Sequence, residues 1–221
     1  MVRLECDTLV KGKRGNDVLE AAFKLFSHAS IDSVSMADIA DEAHIGVATI
    51  YRYFGTKQRL IILTSAYKLC QRTECVMNRF EEEHVVDKRG IEQIEFLLMN
   101  FVNDYPKLVE LLRFSTNVDQ YFINMDCNNE DFESYFKAMK PIYDAMFHAF
   151  DLAIAQGDVI PECDDRQYQR SCILALMGAA QKYAANSVFC GEDIELHKKW
   201  LGWQARETLY FIGGGSALKL S

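Results

Sequence analysis

The sequence predicts an all-α fold of about nine helices. Only three prolines interrupt its 221 residues, so few positions forbid a helix. No β-branched run alternates with polar residues, the mark of a half-buried strand. Through most of the chain apolar residues instead recur three and four positions apart, the spacing of one helix face. A composition of 49% apolar and 25% charged residues suits a globular chain of one or two domains with a substantial core.

The elements follow in order. Residues 1–13 read as a tail, and Lys11, Lys13 and Arg14 form a small basic cluster before the first helix. That helix covers about 16–29, with Leu19, Ala22, Phe23 and Phe26 on one apolar face. Residues 30–34 form a polar loop. Ser35 is a good N-cap, and Asp38 three residues on comes close to a capping box. Met36, Ile39, Ala40 and Ala43 then supply a buried stripe. His44-Ile45-Gly46 breaks the pattern: Ile45 plugs the core, and Gly46 tolerates a turn or an N-cap. A second short helix spans 47–54, with Ile50 and Phe54 inward. Gly55 ends it and Thr56 caps the next.

A long fourth helix continues to about residue 81 on Leu60, Leu63, Ala66, Tyr67 and Cys70. Ile91, Ile94, Leu97, Leu98, Phe101 and Val102 define a fifth, to about 104. Tyr105-Pro106 reads as its end, because the residue before proline avoids the helical region. Pro106 then opens a sixth helix, to about 122. Residues 126–131 form a polar loop turning at Asn128-Asn129. Residues 132–139 are helical, and Pro141 either kinks this helix or starts another that reaches Gln156 before Gly157. Asp164 or Asp165 caps the eighth helix, which runs to about 189. The ninth covers about 192–212 and stops at Gly213-Gly214-Gly215.

Residues 35–57 make a helix-turn-helix, a motif whose second helix enters the DNA major groove. Ser35-x-x-x-Ile39-Ala40, Ala43-x-Ile45, Thr49-Ile50-Tyr51-x-Tyr53-Phe54 and Thr56-Lys57-x-x-Leu60 together resemble the N-terminal DNA-binding domain of TetR-family transcriptional regulators. The resemblance implies a DNA-binding domain at 1–55 and a ligand-binding and dimerisation domain at 56–221, with the fourth helix as connector. It also implies that Ser35 donates a hydrogen bond to a DNA phosphate. His44, Gly46 and Val47 depart from the family's commonest pattern: a small turn residue, a capping serine and a polar or basic reader are usual there.

Val47 can still contact a thymine methyl, Ala48 lets the helix approach the bases, and Thr49 can bond a base or a phosphate. Tyr51, Arg52 and Tyr53 would reach flanking phosphates, with Arg52 best suited to a guanine. Lys57 adds charge to the free N–H groups of its helix's first turn, which suits a phosphate. Neither Tyr51 nor Lys57 is expected in the core. The basic tail is either a frayed terminus or an arm on phosphates.

Net charge is −8, which is unusual for a DNA partner, so distribution matters more than the sum. Residues 1–60 hold eight Lys/Arg and eight Asp/Glu, leaving the whole −8 to the remainder. No carboxylate lies between Glu42 and Glu74, while Arg52, Lys57, Arg59, Lys68 and Arg72 do. The recognition segment is thus locally positive on a chain whose acidity disfavours non-specific contact.

Two further expectations come from the resemblance. The last two helices would pair with their copies in a homodimer, placing two recognition helices on a palindromic double-stranded operator. Phe101, Tyr105, Phe114, Asn117, Tyr121, Phe122, Met139, Tyr143, Met146 and Phe147, in a stretch that also holds Phe136, would line a pocket for a small apolar or aromatic effector. Repression relieved by that ligand is the implied mode.

An enzyme is not expected. The one Glu-x-x-His, at Glu81 and His84, ends in a loop, and no nucleophile elbow or P-loop is present. No cofactor or metal is implied. No apolar run approaches the ~20 residues that span a membrane. Seven cysteines without a CxxC pair suggest a reduced, cytoplasmic protein. The rival readings are a protein-interaction bundle, or a redox-sensing module without a small-molecule ligand. For the latter, Cys70 and Cys75 would point about 140° apart on one helix, poorly placed for mutual pairing.

Overall fold

The computed structural model describes residues 12–123, 132–185, 190–191 and 193–214. Lys11, the Asn128-Asn129 turn, Glu192, Gly215 and the expected helical stretch past 185 lie outside these residues. Eight α-helices and no strand occur among the described residues: α1 Lys13–His28, α2 Met36–Glu42, α3 Val47–Phe54, α4 Lys57–Glu82, α5 Gly90–Phe122, α6 Glu133–Ala155, α7 Arg166–Ala184 and α8 Ile194–Ile212. The all-α expectation holds. None of these helices is long and apolar enough to cross a membrane.

The difference from nine helices lies at Pro106. Tyr105-Pro106 does not end a helix; Pro106 sits inside the 33-residue α5. A proline there removes one backbone bond and costs about 3 kcal/mol. Packing outweighs this cost, since Val102, Tyr105, Leu108 and Val109 around it are all buried. Tyr105 also places its hydroxyl 3.3 Å from His197 Nδ1, and Asp104 accepts from Arg79 at 2.8 Å. Pro141 likewise lies within the continuous α6.

The chain divides into two compact units, one of Val2–Cys75 and Glu110–Pro141, the other of Val76–Val109 and Ile142–Ser221. In the first unit, Val18, Leu19, Ala22 and Phe26 of α1 are buried against Ile39 and Ala40 of α2, Ile50 and Phe54 of α3, Leu60 and Ile61 of α4, and Phe114 and Val118 of α5. This core gives the two short helices α2 and α3 the apolar support that seven and eight residues cannot supply alone.

In the second unit, α5 starts against α6. A Cβ on Gly90 would lie 2.2 Å from the Ala153 nitrogen and 2.5 Å from the Ala149 carbonyl oxygen, so only glycine allows this approach. The Gly90 N–H donates to Gln156 Oε1 at 2.9 Å, and Arg89 clasps both carboxylate oxygens of Asp158 through its Nε and Nη2. α7 begins on Asp165, whose carboxylate caps Gln167 at 2.7 Å, and α8 begins on Asp193.

One expectation about redox state needs correction. Cys75, Cys163, Cys172 and Cys190 are not in disulfides, but Cys70 is disulfide-bonded.

Candidate nucleic-acid interface and adjoining cavity

The helix-turn-helix is held by local bonds. Ser35 and Asp38 form a full capping box: the Ser35 hydroxyl accepts from the Asp38 N–H at 3.1 Å, and the Ser35 N–H donates to Asp38 Oδ2 at 2.7 Å. The Ser35 hydroxyl proton also points to Oδ2, at 2.7 Å. These bonds, the backbone one foremost, hold the Asp38 carboxyl below its ordinary 3.8. A phosphate that takes a hydrogen bond from Ser35 must therefore draw its proton away from Asp38.

α2 ends in a Schellman motif. The Ile45 N–H reaches back to the Ala40 carbonyl at 2.9 Å and the His44 N–H to Asp41 at 3.1 Å. The motif needs a left-handed residue after the cap, and His44 supplies it with φ at 53°. Glycine usually holds that position, because a Cβ there costs about 1–2 kcal/mol. Ile45 then packs on the core, which fixes the angle at which α3 leaves.

α3 starts on Gly46 without a side-chain cap. Ile50 and Phe54 are buried, and Val47, Ala48, Tyr51 and Arg52 are exposed. Tyr51 keeps 51% of its surface. Thr49 and Tyr53 are half-buried; Tyr53 packs on the core and carries the Arg52 guanidinium 5.6 Å from its ring centre. Gly55, at φ 72°, closes the helix. Thr56 caps α4 by accepting from Arg59 at 3.1 Å.

Lys57 does not stand out in solvent. It is half-buried, its ammonium donates to the Ile31 carbonyl, and the Tyr121 ring lies 5.9 Å away. Burial lowers its pKa from the ordinary 10.5, against the pull of Asp32 and Asp38. Its bond to Ile31 ties the α1–α2 connection to the start of α4, a structural task that the sequence reading did not include. One ammonium has three N–H donors, so a phosphate can still share it.

A cavity of about 390 Å³ opens in the same unit. Ile62 and Ser65 of α4, Val118, Asp119 and Phe122 of α5 with Ile123 just beyond, and Phe132, Tyr135 and Phe136 at the start of α6 line it. That volume lies in the range of small-molecule sites.

Residues 18–63 match the family of bacterial regulatory proteins, tetR family. That match covers the helix-turn-helix, 46 of the 221 residues. A Rhodococcus sp. structure described as a TetR-family transcriptional regulator is 14% identical, with a TM-score of 0.67 over 90% of this chain and 100% of that one. The fatty acid degradation regulator FadR of Bacillus halodurans is 17% identical, with a TM-score of 0.64 over 90% and 96%. The FadR of Bacillus subtilis, solved with stearoyl-CoA, is 15% identical, with a TM-score of 0.60 over 86% and 97%. At such identities the likeness concerns the fold. No curated protein matches this chain in sequence.

The ten residues expected around an effector divide evenly between the two units of this chain. Phe114, Asn117, Tyr121, Phe122 and Met139 belong to the helix-turn-helix unit, and among them Phe122 lines the cavity. Phe114 is core, 5.4 Å edge-on to Phe23 and stacked 6.4 Å from Phe26. The Asn117 amide donates to the Phe26 and Ala29 carbonyls at 2.8 and 3.2 Å, so it closes the end of α1. Tyr121 packs on the same core.

Phe101, Tyr105, Tyr143, Met146 and Phe147 belong to the other unit. There Tyr105 and Met146 are buried, and Phe147 meets Tyr143 at 6.0 Å and the Arg166 guanidinium at 4.9 Å. The lining residues left out of the ten were Ile62, Ser65, Val118, Asp119, Ile123, Phe132, Tyr135 and Phe136. Their helical spacing, Ile62 with Ser65 and Val118 with Phe122, was the available signal.

Proposed function

We propose that this chain is a TetR-family DNA-binding transcriptional regulator that acts as a dimer and is released from its operator by a small ligand. The supporting observation is the α3 face: Val47, Ala48, Tyr51 and Arg52 are exposed on a helix whose Ile50 and Phe54 are buried. α3 enters the major groove, with Thr49 and Arg52 at base edges and Val47 and Ala48 in apolar contact. Ser35, Tyr51, Tyr53 and Lys57 hold the flanking phosphates. Residues 1–55 form the DNA-binding domain, 56–221 the body, and α4 the connector.

The dimer forms through α7 and α8. Leu174 on α7 and Trp203, Tyr210 and Phe211 on α8 keep half or more of their surface, an apolar face that a second copy covers. The cavity of α4, α5 and α6 takes an apolar or aromatic effector, whose unequal affinity for two states shifts operator occupancy. The stearoyl-CoA of the Bacillus subtilis FadR is a poor guide here, since none of the nine lining residues is basic and CoA carries phosphates.

The test is a mobility shift on the chain's own upstream intergenic DNA over a salt series. We expect a retarded complex at low salt that weakens steeply as salt rises. No complex at the lowest salt would overturn the reading.

A further inference from the structure

A short chain of rings joins the cavity wall to the start of α4. Phe122, the last residue of α5, lines the cavity and meets Phe132, also in the wall, at 5.2 Å and 76°. It meets Tyr121 as well, at 5.1 Å and 86°. The Tyr121 ring centre lies 5.9 Å from the Lys57 ammonium. All four residues belong to the helix-turn-helix unit. Edge-to-face rings at these separations touch. Packed side chains transmit displacement, so an occupant that presses on Phe122 presses on Tyr121 in turn.

Lys57 stands between competing attractions. Its ammonium donates to the Ile31 carbonyl, and Asp32 and Asp38 draw it the same way, towards α2 and the connection before it. The Tyr121 ring draws it towards the end of α5 instead. A cation is attracted to a ring whose centre lies within about 6 Å. At 5.9 Å the ammonium is at the outer limit of that reach, so a small displacement of the ring ends the attraction.

We propose that Tyr121 positions Lys57 for its phosphate and couples this clamp to the cavity. An occupant pressing on Phe122 displaces the Tyr121 ring; the ammonium then settles on Ile31 and the neighbouring carboxylates and leaves the phosphate. The proposal rests on the reading of the cavity as the effector site and of Lys57 as a phosphate contact.

The test uses the full chain, with 4-phenylbutanol as the cavity probe. Calorimetry follows probe binding, and mobility shift over a salt series follows operator binding. Tyr121→Leu removes the ring. It should weaken operator binding about fivefold and lower the salt slope by up to about 0.9, the contribution of one neutralised phosphate. In a Lys57→Gln background the same substitution should add nothing, whereas a Tyr121 that only supports the core would weaken binding equally in both backgrounds. Tyr121→Phe, which keeps the ring, should match the parent. Saturating probe should release operator from the parent and not from Tyr121→Leu. In the parent it should also shift the NMR signal of the Lys57 ε-methylene, a reading that needs no substitution at 121.

An additive loss in the Lys57→Gln background overturns the proposal. So does a probe that binds and releases operator equally well from Tyr121→Leu, and then the cavity reading stands. Should Tyr121→Leu not fold, an unmoved Lys57 signal in the probe-saturated parent is equally decisive against it. If calorimetry finds no binding of the probe, the cavity reading falls and the coupling with it.

Discussion

The outward face of α3 and the cavity of α4, α5 and α6 belong to one unit yet are built on opposite plans. The first is a local object. Its exposed side chains lie within Val47–Phe54, and the bonds that aim the helix span no more than five positions: Ser35 with Asp38, His44 with Asp41, and Ile45 with Ala40. The second is assembled from Ile62 to Phe136 across three helices. A locally built face can change its outward residues without disturbing its support. In a region assembled by tertiary packing, identical residue types serve as wall or as core according to distant partners. Phe122 lines the cavity while Phe114, eight positions earlier on the same helix, fills the core under α1.

Phe114→Ala tests that contrast most severely. The ring is 1% exposed and packs on Phe23 and Phe26, so its loss should cost about 3–5 kcal/mol in urea unfolding. A cost under about 1 kcal/mol, coupled to altered ligand affinity, would break the comparison by making Phe114 a wall residue. Asn117→Ala should cost about 1–2 kcal/mol, because it strips the Phe26 and Ala29 carbonyls of their donor. Ligand affinity should hardly change.

Lys57→Ala should cost about 1 kcal/mol through the lost bond to Ile31, besides weakening operator binding. A variant as stable as the parent would return Lys57 to the free surface.

His44→Gly should move the other way. Relief of the left-handed Cβ is partly offset by the freer unfolded chain, leaving a gain of about 0.5–1 kcal/mol. A loss of stability would mean that the His44 side chain makes contacts worth more than the strain.

The same division explains what the sequence disclosed. Caps, glycine stops and apolar stripes are local, and Ser35, Gly55, Thr56 and Asp165 all do what their positions predicted. Pro106 was misread because the rule for proline is local, whereas Tyr105 is fixed by His197, 92 positions away. The bond from Lys57 was not legible for the same reason, its acceptor lying 26 positions back. The cavity wall was only partly legible. Nothing in the residue types separates Phe114 and Tyr121 from Phe122 and Phe136, because the distinction lies in whether α1 or α6 faces each ring.

Tyr51→Ala should give the smallest change in stability and so is the sharpest probe of the α3 face. Tyr51 is half-exposed although it follows buried Ile50 in sequence, about 100° further round the helix. Unfolding free energy should stay within about 0.5 kcal/mol of the parent. Operator affinity should fall about tenfold, with the salt slope unchanged, because a phenol that bonds a phosphate displaces no counterion. Arg52→Gln separates the two kinds of contact, since loss of its charge should lower the slope by about 0.9 if it neutralises a phosphate. A slope left intact with discrimination lost at one base pair would place Arg52 on a base edge instead. If Tyr51→Ala unfolds as readily as Phe114→Ala, α3 is turned the other way, and the contrast between its local face and the packed cavity is lost.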